Sequence, residues 1–254
     1  MRIRIVDAFT DEAFSGNPAG VCVLEAWPDE PWMRAVAAEL KASETAFAVE
    51  RPDGEWELRW FTPAGVEVDL CGHATLATAH VLGRDELRFH TRSGVLTARV
   101  GDEITLDLPA NPPVAADAPE GFAAALGAEP VEVLWVTALR ELLAVFDDAR
   151  TVRELAPDLD AIARFDGVRG VVVTAPENDF VSRVFLPAAG IQEDPVTGGA
   201  HTALAPYWAR RLGRDRLVGY QASARGGYVR THVRGDRVEL SGRGVTVLDG
   251  ELLA

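Results

Sequence analysis

The chain has 254 residues, 25 of them Lys or Arg and 39 Asp or Glu, giving a net charge of −14. Hydrophobic residues make up 48% and charged residues 25%, the mix of a globular protein long enough for one large domain or two small ones. The acidic balance argues against nucleic acid or an anionic membrane as partner, since both need a basic face.

No apolar stretch approaches the roughly 18 residues that span a bilayer, and a cytoplasmic location is expected. Lys41 is the sole lysine, and no G-x-x-x-x-G-K occurs, which removes a Walker-type phosphate loop. Cys22 and Cys71 give neither a disulfide framework nor a zinc cluster. The histidines show no H-E-x-x-H, and neither G-x-G-x-x-G after a strand nor G-x-S-x-G is present. No cofactor and no metal are expected.

In chain order, apolar or alternating runs bounded by Gly, Pro and Asp predict strands over 2–9, 19–25, 45–50, 55–61, 86–91, 95–100 and 103–108. Helices are predicted over 31–41 and 73–82. Pro109-Ala110-Asn111-Pro112-Pro113 reads as a linker. Beyond it, strands are expected over 131–136, 140–147, 170–175, 179–186, 216–222, 227–234, 236–241 and 244–248. Helices there are expected over about 119–126, 151–164 and 200–212.

The two halves repeat one another. Arg59-Trp60-Phe61-Thr62-Pro63-Ala64 leads through acidic residues to Cys71-Gly72-His73-Ala74-Thr75. Arg183-Val184-Phe185-Leu186-Pro187-Ala188 leads likewise to Thr197-Gly198-Gly199-Ala200-His201-Thr202. Both copies continue into Gly-Arg-Asp (83–85 and 213–215) and end on Gly-Asp-x-x-x-Leu (101–106 and 235–240). The segment 73–82 is nearly uncharged all round, so it should be wrapped by protein rather than laid on a surface. The expected architecture is α+β, two pseudo-symmetric lobes, each a curved, mostly antiparallel sheet around a central helix. The N-terminal lobe is placed at 1–112, with the last strand near 244–254 packing back on it, and the C-terminal lobe at 113–254.

Each central helix is entered through glycine, and first-turn N–H groups have no intrahelical partner. Two such N-termini facing each other would form an anion site without a cluster of basic side chains. Glu44, in Lys41-Ala42-Ser43-Glu44-Thr45-Ala46-Phe47, is a lone acid at the mouth of an apolar strand. The matching place in the second copy, Arg169-Gly170-Val171-Val172, carries none. A half-buried carboxylate there suits a proton shuttle, although a solvated glutamate at a strand start fits the pattern equally.

Five motifs in order complete the reading: Gly16-Asn17-Pro18-Ala19-Gly20-Val21, Ser43-Glu44-Thr45-Ala46-Phe47, Phe61-Thr62-Pro63, Val68-Asp69-Leu70-Cys71-Gly72-His73-Ala74-Thr75 and Glu193-Asp194-Pro195-Val196-Thr197-Gly198. Together they resemble the PhzF-like isomerase family, named for phenazine biosynthesis and related in fold to diaminopimelate epimerase. The resemblance implies a homodimer and cofactor-free isomerisation of a small carboxylated substrate. It implies Glu44 as the acid/base, His73 and Asp194 beside the substrate, and Asn17, Gly72, Ala74, Thr197, Gly198 and Gly199 as substrate-binding positions. Gly199 stands where the family usually has serine. Two alternatives stay open: an amino-acid epimerase or racemase, and a catalytically silent carboxylate-binding homodimer. A two-thiol racemase would need a cysteine at Thr197 to match Cys71.

Overall fold

The computed structural model describes residues 1–253 and divides the chain into two compact units. The first comprises Met1–Leu108 with Glu239–Ala254, the second Pro109–Val238. The first unit therefore takes back more of the C-terminus than the strand near 244–254.

In the first unit the elements run β1 (Arg2–Ala8), β2 (Asn17–Leu24), α1 (Glu30–Leu40), β3 (Glu44–Glu50), β4 (Trp56–Phe61), β5 (Glu67–Val68), α2 (Gly72–Leu82), β6 (Glu86–Thr91), β7 (Gly94–Val100) and β8 (Ile104–Pro109). The second unit holds β9 (Val114–Ala115), α3 (Phe122–Leu126), β10 (Glu132–Val136), β11 (Glu141–Val145), α4 (Ala149–Glu154), α5 (Leu159–Ala163), β12 (Gly170–Ala175) and β13 (Phe180–Leu186). It continues through β14 (Ile191–Asp194), α6 (Gly198–Leu212), β15 (Arg216–Gln221) and β16 (Gly227–Arg234). The chain then returns through β17 (Arg237–Gly242) and β18 (Gly244–Glu251). Among the described residues no helix is long and apolar enough to cross a membrane.

The strand pairing repeats. In the first unit β1 lies between β18 and β2, and β2–β3 are parallel. There β3–β4 are antiparallel and β4–β6 parallel, with β5 on the flank of β4. In the second unit β10 lies between β9 and β11, and β11–β12 are parallel. There β12–β13 are antiparallel and β13–β15 parallel, with β14 on the flank of β13. Each unit is thus α+β with a mostly antiparallel sheet and two parallel steps.

Both faces of the sheet are covered, which explains apolar runs such as Gly170-Val171-Val172-Val173. Alternate residues point to opposite faces of a strand. Leu143, Val145, Val172, Val184 and Leu186 pack on Ala200, Ala203 and Leu204 of α6. Their neighbours Leu142, Ala144, Val171, Val173 and Phe185 pack on α3, α4 and α5 through Phe122, Leu126, Val152 and Ile162. In the first unit α2 contacts β1, β2, β3, β7 and β18 and is buried from Gly72 through Ala79.

The duplicated R-x-F is a fastener. Arg59 bonds Glu67 through Nε at 2.7 Å and Nη2 at 2.6 Å, with its guanidinium over the Phe61 ring. Arg183 bonds Glu193 at 2.8 and 3.0 Å and lies over Phe185. Each pair ties a central strand, β4 or β13, to the short strand, β5 or β14, that leads into a buried helix.

One expected helix is two. The segment 151–164 breaks because Pro157 cannot continue a helix and Asp158 starts a new one, its carboxylate accepting from Ala161 N–H at 2.9 Å. A second proline, Pro206, stands inside α6 and donates no bond to the Thr202 carbonyl. Asn111 of the linker fills that gap. Its backbone N–H donates to Thr202 O at 3.0 Å and its Nδ2 to Thr202 Oγ1 at 2.8 Å. Asn111→Ala removes the side-chain bond, and urea unfolding should show a loss of about 1 kcal/mol.

Candidate functional site

Three helices carry aspartate caps, and α3, entered through Gly121, has no side-chain cap. Asp29, Asp148 and Asp158 each accept a first-turn N–H of α1, α4 and α5. The buried helices α2 and α6 have Cys71 and Thr197 at the N-cap, and neither side chain makes a cap bond. Their first-turn N–H groups are open to a ligand.

In the first unit, the parallel pairing of β2 and β3 puts Ala19 opposite Glu44. Glu44 is buried at the start of β3, and Asn17 is fully buried at the start of β2. His73, second residue of α2, joins them. Its Nε2 lies 3.2 Å from Glu44 Oε2, close enough for an ion pair but without the alignment of a hydrogen bond. Its Nδ1 is 3.3 Å from Asn17 Nδ2 and 3.5 Å from Cys71 Sγ. An amide that can turn over and a thiol that can rotate serve either protonation state of the ring.

Burial opposes charging His73, but the negative charge of Cys71 and Glu44 outweighs it and lifts the ring pKa well above its ordinary value. Burial pushes the Cys71 thiol up, with the Glu44 charge adding to the rise and His73 opposing it.

In the second unit, Asp194 ends β14, buried, and accepts from Thr197 Oγ1 at 2.5 Å. Gln221, fully buried in β15, staples the entry to α6. Its Oε1 accepts from Thr197 N–H at 2.8 Å and its Nε2 donates to Asp194 O at 2.7 Å. His201 Nδ1 donates to Thr197 O at 2.8 Å, and burial lowers that ring to about 4, so it stays neutral. Asp194, Thr197, Gly198 and Gly199 thus gather at the first turn of α6, as Glu44, His73, Gly72, Ala74 and Asn17 do around α2.

Sequence reasoning missed Gln221 and Glu141. Gln221 lies in an ordinary strand with no motif around it. The matching place, Gly170, carries no acid, as expected, but Glu141 stands beside it on the neighbouring strand. The registers pair Ala19 with Glu44 in the first unit and Glu141 with Gly170 in the second. The same rung carries a carboxylate in both, from neighbouring strands. Gly170 could not hold it, because a Cβ there would meet Phe185 O at 2.3 Å.

Residues 6–250 match the family described as phenazine biosynthesis-like protein. The chain belongs to that family. It is 51% identical to an uncharacterized isomerase of Pseudomonas aeruginosa, over 97% of this chain and 96% of that one. It is 39% identical to phenazine biosynthesis-like domain-containing protein 1 of Mus musculus, with 99% of each chain covered. A PhzF-family crystal structure from Enterococcus faecalis superposes with a TM-score of 0.94 at 42% identity, covering 100% of this chain and 99% of that one. A probable proline racemase from Agrobacterium radiobacter, at 15% identity and a TM-score of 0.64 over 99% and 92% of the two chains, shares the fold.

Gly199 is not demanded by space. An added Cβ would meet only Leu139 Cδ2, at 3.7 Å. Gly199→Ala should therefore raise stability by about 0.5–1 kcal/mol through lost chain entropy in the unfolded state, read as a higher melting temperature.

Proposed function

We propose that this isomerase of the PhzF-like type moves a proton within a small carboxylated substrate, with Glu44 as the acid/base and no cofactor. The observation that carries the reading is the buried Glu44 carboxylate, 3.2 Å from His73 and beside the uncapped first turn of α2. Glu44 takes a C–H proton next to an unsaturated or carbonyl group, leaving the electron pair delocalised over the substrate. It then returns the proton to a different carbon. The His73 imidazolium offsets the developing negative charge, and the N–H groups of Gly72, His73 and Ala74 hold an oxyanion. The resemblance extends the reading to a homodimer, and the cytoplasmic location expected from the sequence belongs to the same proposal.

Several features weigh against a two-thiol racemase. Thr197 occupies the place of the second thiol. Cys22 is buried in β2, its thiol pushed up to about 12 by desolvation. Burial pushes the Cys71 thiol up as well.

Glu44→Gln preserves size and cannot carry a proton. With a turned-over carboxylate in hand, its rate should fall at least about 10²-fold, with little change in substrate affinity. Solvent deuterium should enter product with the native chain and be nearly absent with the variant. A Glu44→Gln protein within tenfold of the native rate would overturn the assignment. Cys71→Ser should keep most of the rate, since a hydroxyl can still face His73 Nδ1. Near-total loss would favour the thiol route.

A further inference from the structure

Glu141 is buried, and its two oxygens have different fates. Oε1 accepts from Arg169 Nη1 at 2.7 Å, while Oε2 is buried with no hydrogen-bond partner. An unpaired carboxylate oxygen in the interior is costly, and protonation is the usual relief. With Oε1 committed to a guanidinium, the proton sits on Oε2.

The direction of that oxygen follows from the strand. Leu143 and Val145, two and four residues on, share the face of Glu141 and pack on Ala200, Ala203 and Leu204 of α6. Leu139, two residues before, would be the neighbour of a side chain at Gly199. Glu141 lies between them in the chain, on the side of β11 that packs on α6, whose N-cap Thr197 makes no side-chain cap bond. Gly199 leaves room there.

We infer that Glu141 is a proton-bearing anion ligand whose Oε2–H joins the N–H groups of Gly198, Gly199 and Ala200 in holding a carboxylate or like oxyanion. The charged groups acting on Glu141 are Arg169, from the segment before β12, and Asp194, from β14. The first turn of α6 carries none. Burial raises the Glu141 pKa to about 7, Arg169 opposes the rise and Asp194 adds to it. The donor is therefore present below pH 7 and lost above it.

The inference rests on the substrate being a carboxylate. Its test reads binding rather than turnover, so its failure leaves the Glu44 result standing. Sulfate is the probe, because its charge is constant from pH 6 to 8. Its dissociation constant, measured by calorimetry on the full chain, should rise about tenfold from pH 6 to pH 8, as one linked proton is lost. Glu141→Gln keeps a donor and should flatten the profile while retaining binding. Arg169→Gln removes the opposing charge and should move the midpoint to higher pH, which tests the idea even if the Glu141 variant misfolds. Absence of sulfate binding, a flat native profile, an unchanged slope in Glu141→Gln or an unmoved midpoint in Arg169→Gln would each overturn it.

Discussion

A helix enclosed by a sheet has to present its N-terminus to something. Surface helices here solve the problem locally, with Asp29, Asp148 and Asp158 folding back onto first-turn N–H groups. For α2 and α6 the cap residues are Cys71 and Thr197, whose side chains turn elsewhere. A missing cap costs on the order of 0.5–2 kcal/mol. The positive end of the helix macrodipole then stays available for a ligand's charge. A chain of net charge −14 thereby offers anion-binding groups without a basic patch.

Holding such a helix requires the loop before it to be fixed. The paired Arg59–Glu67 and Arg183–Glu193 contacts do this in each unit, and the guanidinium covers the Phe ring two residues on. A planar guanidinium can bridge a carboxylate and lie on an aromatic face together, which lysine does less well. The near-absence of lysine is compatible with this chemistry, though the composition as a whole does not follow from it. In the second unit Gln221 adds a further tie, closing both a backbone N–H and a backbone carbonyl at the entry to α6.

The repeat is not a copy at the level of chemistry. The rung that carries Glu44 on β3 carries Glu141 on β11, because the backbone around Gly170 leaves no room for a side chain. His73 has Gly199 as its counterpart and Cys71 has Thr197. The first unit therefore sets a carboxylate against an imidazole, whereas the second sets its acid against a guanidinium.

Sequence alone determined the strand-rich α+β class, both buried helices and the residues at their entrances. It could do so because an uncharged helix, a glycine step and the R-x-F-x-P-A order are local patterns. The pattern singled out Glu44, and the family resemblance added His73 and Asp194. Their grouping was another matter: Glu44 reaches His73 only through the parallel pairing of β2 and β3 and the packing of α2 against that sheet. The split at Pro157 was legible in principle, since proline breaks a helix by its own geometry. Glu141 and Gln221 were not, because both lie in plain strands. Tertiary structure decided them by setting which residues share a rung and which face points at a helix end, and a register is fixed by contacts far apart in the chain.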